Sequence, residues 1–400
     1  MTRLIEHFCP LQDLSTNDPY DVWISRPGQL ARGLYHKSPA LGAGPAVALT
    51  GLDFVLDAVH PRIYQRREYP IVRAHAALAL LELSLAGQGT VFLGPVVEHL
   101  RWLSEHALEG PSWTAWGVGF PFSVDARLAY PADTPFTTVS IYPLEAFCRY
   151  RSLTGDTAFD PVIERAGRFF LEGITVMEED DDAMATSYGP RADRVVTNAI
   201  SYTMFAHALV LEMQAGRERE RLAERIRKLY GFIRREQRAD GSFLYSPRGT
   251  SFIDCFHTCI VLKNLIKTAA LVLLDGSGEV VERGYAFLKE SMFDAGAGLF
   301  RRFAVSRRPS PVAFDLYDNA EALGVAVLLG DLEFARRLGD AVAARFVEGM
   351  DVFSQVSILG HRMRKNTLRW AVMPYMNALA LLERAVAKES GAVRAGSAGG

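Results

Sequence analysis

Cysteine is scarce in this chain: Cys9, Cys148, Cys255 and Cys259 are the only four in 400 residues. That count argues against a disulfide framework and fits a reducing compartment. An excess of one charge is missing too. Lys and Arg number 44 against 46 Asp and Glu, a formal net charge of −2. A nucleic-acid binder shows a basic excess or stripe. Mixed-sign runs such as "RERERLAERIRK" (217–228) read as a solvated helix face. No uninterrupted apolar run reaches the roughly 18 residues of a membrane span. The start, "MTRLIEHFCPLQDLS", lacks the apolar centre of a secretory signal. The expectation is a cytoplasmic protein with no nucleic-acid partner and no transmembrane segment. β-Branched alternation is also scarce, which argues against a sheet protein.

What is present is helical periodicity, with apolar residues at i, i+3, i+4 and i+7. Two kinds of predicted helix alternate. Six are apolar almost all round, as burial on most sides requires: 70–86, 135–150, 197–213, 254–274, 315–329 and 366–385. Amphipathic segments lie between them, near 93–107, 158–174, 218–237, 277–291 and 331–347. A further outer candidate, 46–60, precedes the first buried helix. The buried helices begin roughly 50–65 residues apart, and such a period marks a repeat architecture. The unit is a helical hairpin. Six hairpins predict an all-α fold, an α/α toroid with inner helices on the axis and outer helices facing water. An open solenoid is the competing arrangement. The expected boundaries are an N-terminal segment, 1–45, packed on the toroid; a single toroid domain, 46–386; and a small, polar, disordered tail, 387–400.

The predicted inner helices begin on groups that burial penalises. Arg73 and His75 open the first, Thr134, Thr137 and Thr138 the second, and Asn198, Ser201 and Tyr202 the third. Asp254 and His257 open the fourth, Asp315, Tyr317, Asp318 and Glu321 the fifth, and Asn366, Arg369 and Trp370 the sixth. Helix capping alone accounts for Thr197, Asp254, Asp315 and Asn366. It does not account for His257, Tyr202, Glu321, Arg369 or Trp370. In a toroid these starts meet at one end of the ring and line a funnel. Aromatic faces stack on sugar C–H surfaces and polar groups bind hydroxyls, so this lining suits a sugar or oligosaccharide.

Long loops ahead of inner helices add Trp113, Trp116, Phe120 and Phe122 (110–135), Tyr188 and Arg191 (181–198), and Tyr245 and Arg248 (240–258). Loops of this length are functional or disordered, and so many aromatics disfavour disorder. The aromatics either plug the toroid end or form a substrate platform. His75 and His207, within apolar helices, read as core or lining residues. Cys255 and Cys259 share a helix face that His257 does not, so no shared metal site and no cofactor are expected.

The stretches "WGVGFPF", "TPFTTVSIYPLEAF", "SYGPRADRVVTNA", "DGSFLYS" and "DCFHT" occur in this order. Together they resemble a bacterial α/α-toroid family encoded in polysaccharide-biosynthesis clusters, whose members are often mislabelled delta-aminolevulinic acid dehydratase. The resemblance covers roughly residues 110–265. The family pattern in the first loop runs Trp-Gly-Tyr-Pro-Phe-Asp-Trp. Here Ser123 and Val124 follow Phe122, so that acid and that Trp are absent. Asp125 or Arg127 are the nearest substitutes. The last motif, an acid followed by Phe, His and Thr, matches at Asp254, Phe256, His257 and Thr258. The resemblance implies a carbohydrate substrate, a place in extracellular-polysaccharide biosynthesis and polysaccharide assembly proteins as partners. It fixes no reaction. More distantly, the layout is similar to N-acylglucosamine 2-epimerases, uronyl 5-epimerases and toroidal polysaccharide lyases, an analogy at the level of fold.

Three roles follow from these residues. The first is proton abstraction beside a carbonyl or carboxylate of a sugar, giving epimerisation or elimination. It needs a base, an acid and a cation. His257, oriented by Asp254, is the candidate base and Tyr202 or Tyr188 the acid. Arg73, Arg191 or Arg369 would pair with a substrate carboxylate. The second role is glycoside hydrolysis by paired carboxylates from Asp254, Asp318 and Glu321, with Asp125 as an outsider. The third is non-catalytic glycan binding. Trp116, Phe120, Phe122, Asn198, Tyr245 and Trp370 are the remaining candidate substrate contacts.

Overall fold

The computed structural model describes residues 2–57, 60–123, 128–248, 251–305 and 310–397. Asp125 and Arg127 lie outside them. Five helices precede the ring: α1 (Thr2–Phe8), α2 (Asp21–Ile24), α3 (Arg26–Lys37), α4 (Pro39–Val55) and α5 (His60–Ile63). Six inner helices follow: α6 (Pro70–Leu83), α8 (Thr137–Thr154), α10 (Thr197–Val210), α12 (Cys255–Ala269), α14 (Leu316–Leu328) and α16 (Met373–Ser397). Each packs on the next, and α16 packs back on α6. The ring is therefore closed, and an open solenoid is excluded. Outer helices α7 (Leu93–Glu105), α9 (Asp160–Arg168), α11 (Gly216–Glu236), α13 (Ser277–Ser291) and α15 (Leu332–Phe346) each pack on the inner helix before them. The protein is an α/α toroid.

The sequence explains the division of labour. α10 buries every residue except Leu209, because inner helices on both sides and an outer helix behind leave it no wet face. Its outer neighbour α11 buries Leu222, Ile226, Leu229 and Ile233, an i, i+4, i+7 stripe, and turns its charges to water except Arg225, which is buried against His207. By length and composition Pro70–Gly87 could cross a membrane. Here it is the first inner helix, with its apolar surface packed against α16, α7 and α8.

Three expectations need correction. The segment 46–60 is not an outer helix: α4 pairs with α3 in a hairpin beside the ring mouth. The sixth outer position is taken instead by the short α1, which packs on α16 and α6. The boundary at residue 45 thus falls inside α4, and α16 runs helical to Ser397, through the tail expected to be disordered. Third, the expected loops also contain strands. Those leading into inner helices are long and carry antiparallel strands, such as Ile253–Asp254 against Phe303–Val305. Another set pairs Asp351–Ser357 with both Val312–Asp315 and Arg362–Lys365. Most of these strands are two to four residues long, too short for alternation to register. Asp351–Ser357 does alternate, burying Val352, Ser354 and Val356.

The long loops all sit at the inner-helix starts, at 106–136, 174–196, 237–254, 292–315 and 347–367, whereas the turns at the opposite end are short. That opposite end is plugged by ion pairs between later turns of the inner helices. Lys267 Nζ lies 2.6 Å from Glu145, Arg149 reaches both Glu145 and Glu82, and Arg384 lies 2.8 Å from Glu82. Burial pushes the Glu145 carboxyl up, but Lys267 and Arg149 outweigh it and hold it below the usual range. Only the loop-rich end is available as a mouth.

Candidate functional site

At that mouth the helix starts converge. Asp254 caps α12, accepting from the His257 N–H at 3.3 Å. The same carboxylate meets His257 Nδ1 at 2.8 and 2.9 Å. A carboxylate only accepts, so Nδ1 carries the proton and the Nε2 lone pair points outward. Nε2 has no partner among the described residues, and the imidazole is 19% exposed while Asp254 is 2% exposed. Phe256 and Tyr245 flank the ring at centroid distances of 3.9 and 4.6 Å, with Phe252 beyond them at 6.0 Å. The pair is a buried acid holding a partly open imidazole in one tautomer.

Aromatic rings continue around the mouth. Phe256 lies 5.0 Å from Tyr317 on α14, and Tyr317 lies 5.3 Å from Trp370 at the sixth start. Arg369 faces Tyr69, Phe120 and Trp370 at 5.1–5.3 Å. Its guanidinium is held by buried Asp18, with Nη2 donating to Oδ1 at 2.9 Å and Nε to Oδ2. Phe122 packs with Phe120, Tyr130 and Phe136. Tyr188 packs on Phe136 and shares a hydrogen bond with Thr138. Asn198 is buried on α10, and its Oδ1 has no partner.

Several expected residues lie elsewhere or are already occupied. Arg73 turns outward between α6 and α7, bonded to Glu68, Gln12 O and His99 Nδ1. Trp116 is fully buried, donating Nε1 to Leu103 O and packing on Phe147. Arg191 is half exposed on the rim and bonds Ala129 O. Tyr202 lies deeper on the axis, its hydroxyl 2.6 Å from that of Tyr142. Glu321 is buried against Lys263 Nζ at 2.5 Å. Asp318 is fully buried, accepting from Arg302 Nε at 2.9 Å and from the Phe256 N–H at 3.1 Å. Burial pushes Asp318 up to about 7 against the pull of Arg302, with Asp315 and Asp254 adding to the rise. His75 and His207 are buried, and burial holds both well below the usual imidazole range.

An arginine outside the expected set, Arg194, also reaches the site beside Tyr245. Its guanidinium stacks on Tyr188 at 4.1 Å, and Nη1 donates to Tyr245 Oη at 3.3 Å. Its Nε is buried and without a partner. Arg191 and Arg194 are three apart, and only the paired strand-like stretch Val195–Val196 entering α10 would have favoured the second. Burial raises the Tyr245, Tyr202 and Tyr317 hydroxyls above the phenol range, which keeps them protonated. Among the described residues no group of three His, Cys, Asp or Glu is placed to hold a metal.

No family model and no curated protein sequence matches this chain. Solved structures do match its fold. Cellobiose 2-epimerase from Bacillus thermoamylovorans is similar at TM-score 0.62 and 11% identity, over 80% of this chain and 88% of that one. The family 76 α-mannanase of Bacteroides thetaiotaomicron is similar at 0.59 and 9% identity, again over 80% and 88%. A polysaccharide lyase is similar at 0.53 and 12% identity, over 92% of this chain and 99% of its own. Identities this low establish the toroid and leave the chemistry to the site.

Proposed function

We propose that this protein is a carbohydrate-active enzyme in which His257 abstracts a proton from a sugar carbon beside a carbonyl or carboxylate. The observation that carries the reading is the Asp254–His257 pair, with Nε2 open at an aromatic-lined mouth. His257 Nε2 takes the proton, the C–H electron pair moves onto the carbonyl or carboxylate oxygen, and Asp254 steadies the imidazolium. Arg194 is the cation beside the developing oxyanion. Its hydrogen bond to Tyr245 Oη leaves the tyrosine's own proton free for the opposite face of the carbanion or for a departing oxygen. The first outcome is epimerisation and the second is elimination.

The neighbours in fold support a sugar ligand, since their names include an epimerase, a mannanase and a lyase. The paired-carboxylate reading is weaker, because Asp318 and Glu321 are each bonded to a cation and shut from the mouth. The resemblance of the loop motifs supports a place in extracellular-polysaccharide biosynthesis. Together with the scarcity of cysteine, it also supports a cytoplasmic protein acting on a lipid-linked or nucleotide-linked precursor. The test is proton NMR of acidic and neutral oligosaccharides incubated with the protein in heavy water. Deuterium at a ring carbon or a new alkene is expected. New reducing ends without exchange would replace this reading with hydrolysis.

A further inference from the structure

The α3–α4 hairpin has no role in closing the ring, yet it is fixed beside the mouth. Arg364, on the loop before α16, is buried and pairs with Asp53 on α4 and with Asp57 just beyond it. Between the hairpin and the ring lies a cleft of about 1000 Å³, at the upper end of what small-molecule sites occupy. Trp23, Tyr35, Val47 and Pro311 are among its walls. Tyr20 is shared: it lines the cleft, and its ring lies 5.4 Å from Trp370 of the mouth. The cleft and the mouth thus share Tyr20 as a wall.

Two basic side chains line the cleft. Arg32 lines the cleft and has no hydrogen bond or ion pair among the described residues. His36 lines it too, and its Nε2 is buried without a partner. Among the described residues, no carboxylate lines it. Burial depresses the Arg32 guanidinium, as expected for a cation lacking a counter-ion. An unpaired cation in an aromatic and aliphatic wall is costly unless an anion joins it. The opposite face of α4 is apolar as well: Leu41, Leu52 and Val55 are 55–78% exposed, while Val47, 71% exposed, lies on the cleft side. The single charged residue of α4, Asp53, is turned inward to Arg364.

We propose that this cleft is a second ligand site that takes the phosphate of an amphiphile, with the phosphate on Arg32 and His36, the hydrocarbon along α4, and the attached sugar at His257. The inference rests on the proposed function and names its substrate class: a lipid-phosphate-linked sugar. A nucleotide would use the same aromatic walls, Tyr20, Trp23 and Tyr35, for its base, and titration with uridine diphosphate separates the two ligands.

The test is calorimetric titration of the full chain with farnesyl diphosphate, inorganic diphosphate, farnesol and uridine diphosphate. Farnesyl diphosphate should bind at least tenfold more tightly than each of the others, and His257→Ala should bind it as wild type does. Arg32→Gln should weaken it roughly tenfold, the scale of one lost charge-assisted hydrogen bond. Val47→Asp, at an exposed position that folding does not depend on, should weaken it by a similar factor. No binding of farnesyl diphosphate, tighter binding of uridine diphosphate, or full affinity in both variants would overturn the proposal. None of these readouts needs turnover, so this site can fail while proton exchange at His257 stands, and the reverse.

Discussion

Two helix starts in this ring carry the same signature and end in opposite states. α12 begins with Asp254 and has His257 three residues on; α14 begins with Asp315 and has Asp318 three residues on. Both first acids are caps, Asp254 accepting from the His257 N–H at 3.3 Å and Asp315 from the Tyr317 N–H at 2.9 Å. At α12 the cap also holds an imidazole whose far nitrogen stays open. At α14 a cation from the preceding loop covers both acids: Arg302 Nε lies 2.9 Å from Asp318 and Nη2 lies 2.9 Å from Asp315. Spacing selects a helix face, but the group lying opposite decides whether that face reacts or is neutralised.

The sharpest way to break the comparison is to remove the third residue of each pair. His257→Ala should lower turnover by about 10³-fold, within the range of a lost general base, and leave the urea midpoint near that of wild type. Asp318→Asn should retain most activity. Exchanged results in a single-turnover assay would move the chemistry from α12 to α14.

Arg302→Met attacks the other side. It strands two fully buried carboxylates and should destabilise the fold by about 3–5 kcal/mol, read by urea denaturation. A loss below about 1 kcal/mol, the scale of an exposed pair, would mean that Arg302 is a solvated bystander.

A smaller effect separates two arginines. Arg194→Gln should raise KM for an acidic sugar roughly tenfold, as expected for one charge-assisted contact, while Arg73→Gln should lower stability and leave KM alone. Equal KM values would return the sugar's anchor to Arg369.

A separate effect is in pH. Asp318 rises in the folded state to about 7, from about 3.9 in the unfolded chain. Between those values the folded protein holds a proton that the unfolded chain has released. The stability contributed by that proton is therefore lost as pH rises through the window. Asp318→Asn should flatten that part of a stability–pH curve; an unchanged slope would assign it to other groups.

The ring was legible in the sequence because burial on all sides leaves a mark no single face can imitate: α6, α10 and the first part of α16, to Leu382, are apolar almost all round. The Asp254–His257 pair was legible for a related reason, since a histidine at a buried helix start has no capping role. Arg302 and Arg194 were not legible. Both lie in loops, where no periodicity says which way a side chain turns, and Arg73 shows that a residue at the right helix start can still face outward. The role of α4 was misread because its apolar residues suggested an outer helix, whereas they line a cleft and a solvent face.

The most direct test of the central claim is solvent exchange measured on three proteins side by side. Wild type, His257→Ala and Asp318→Asn would be incubated in heavy water with an oligosaccharide that the wild type binds, and deuterium at the sugar ring carbons followed by proton NMR. The account predicts deuterium with wild type and Asp318→Asn and none with His257→Ala. Exchange that survives in His257→Ala, or disappears only in Asp318→Asn, would contradict it.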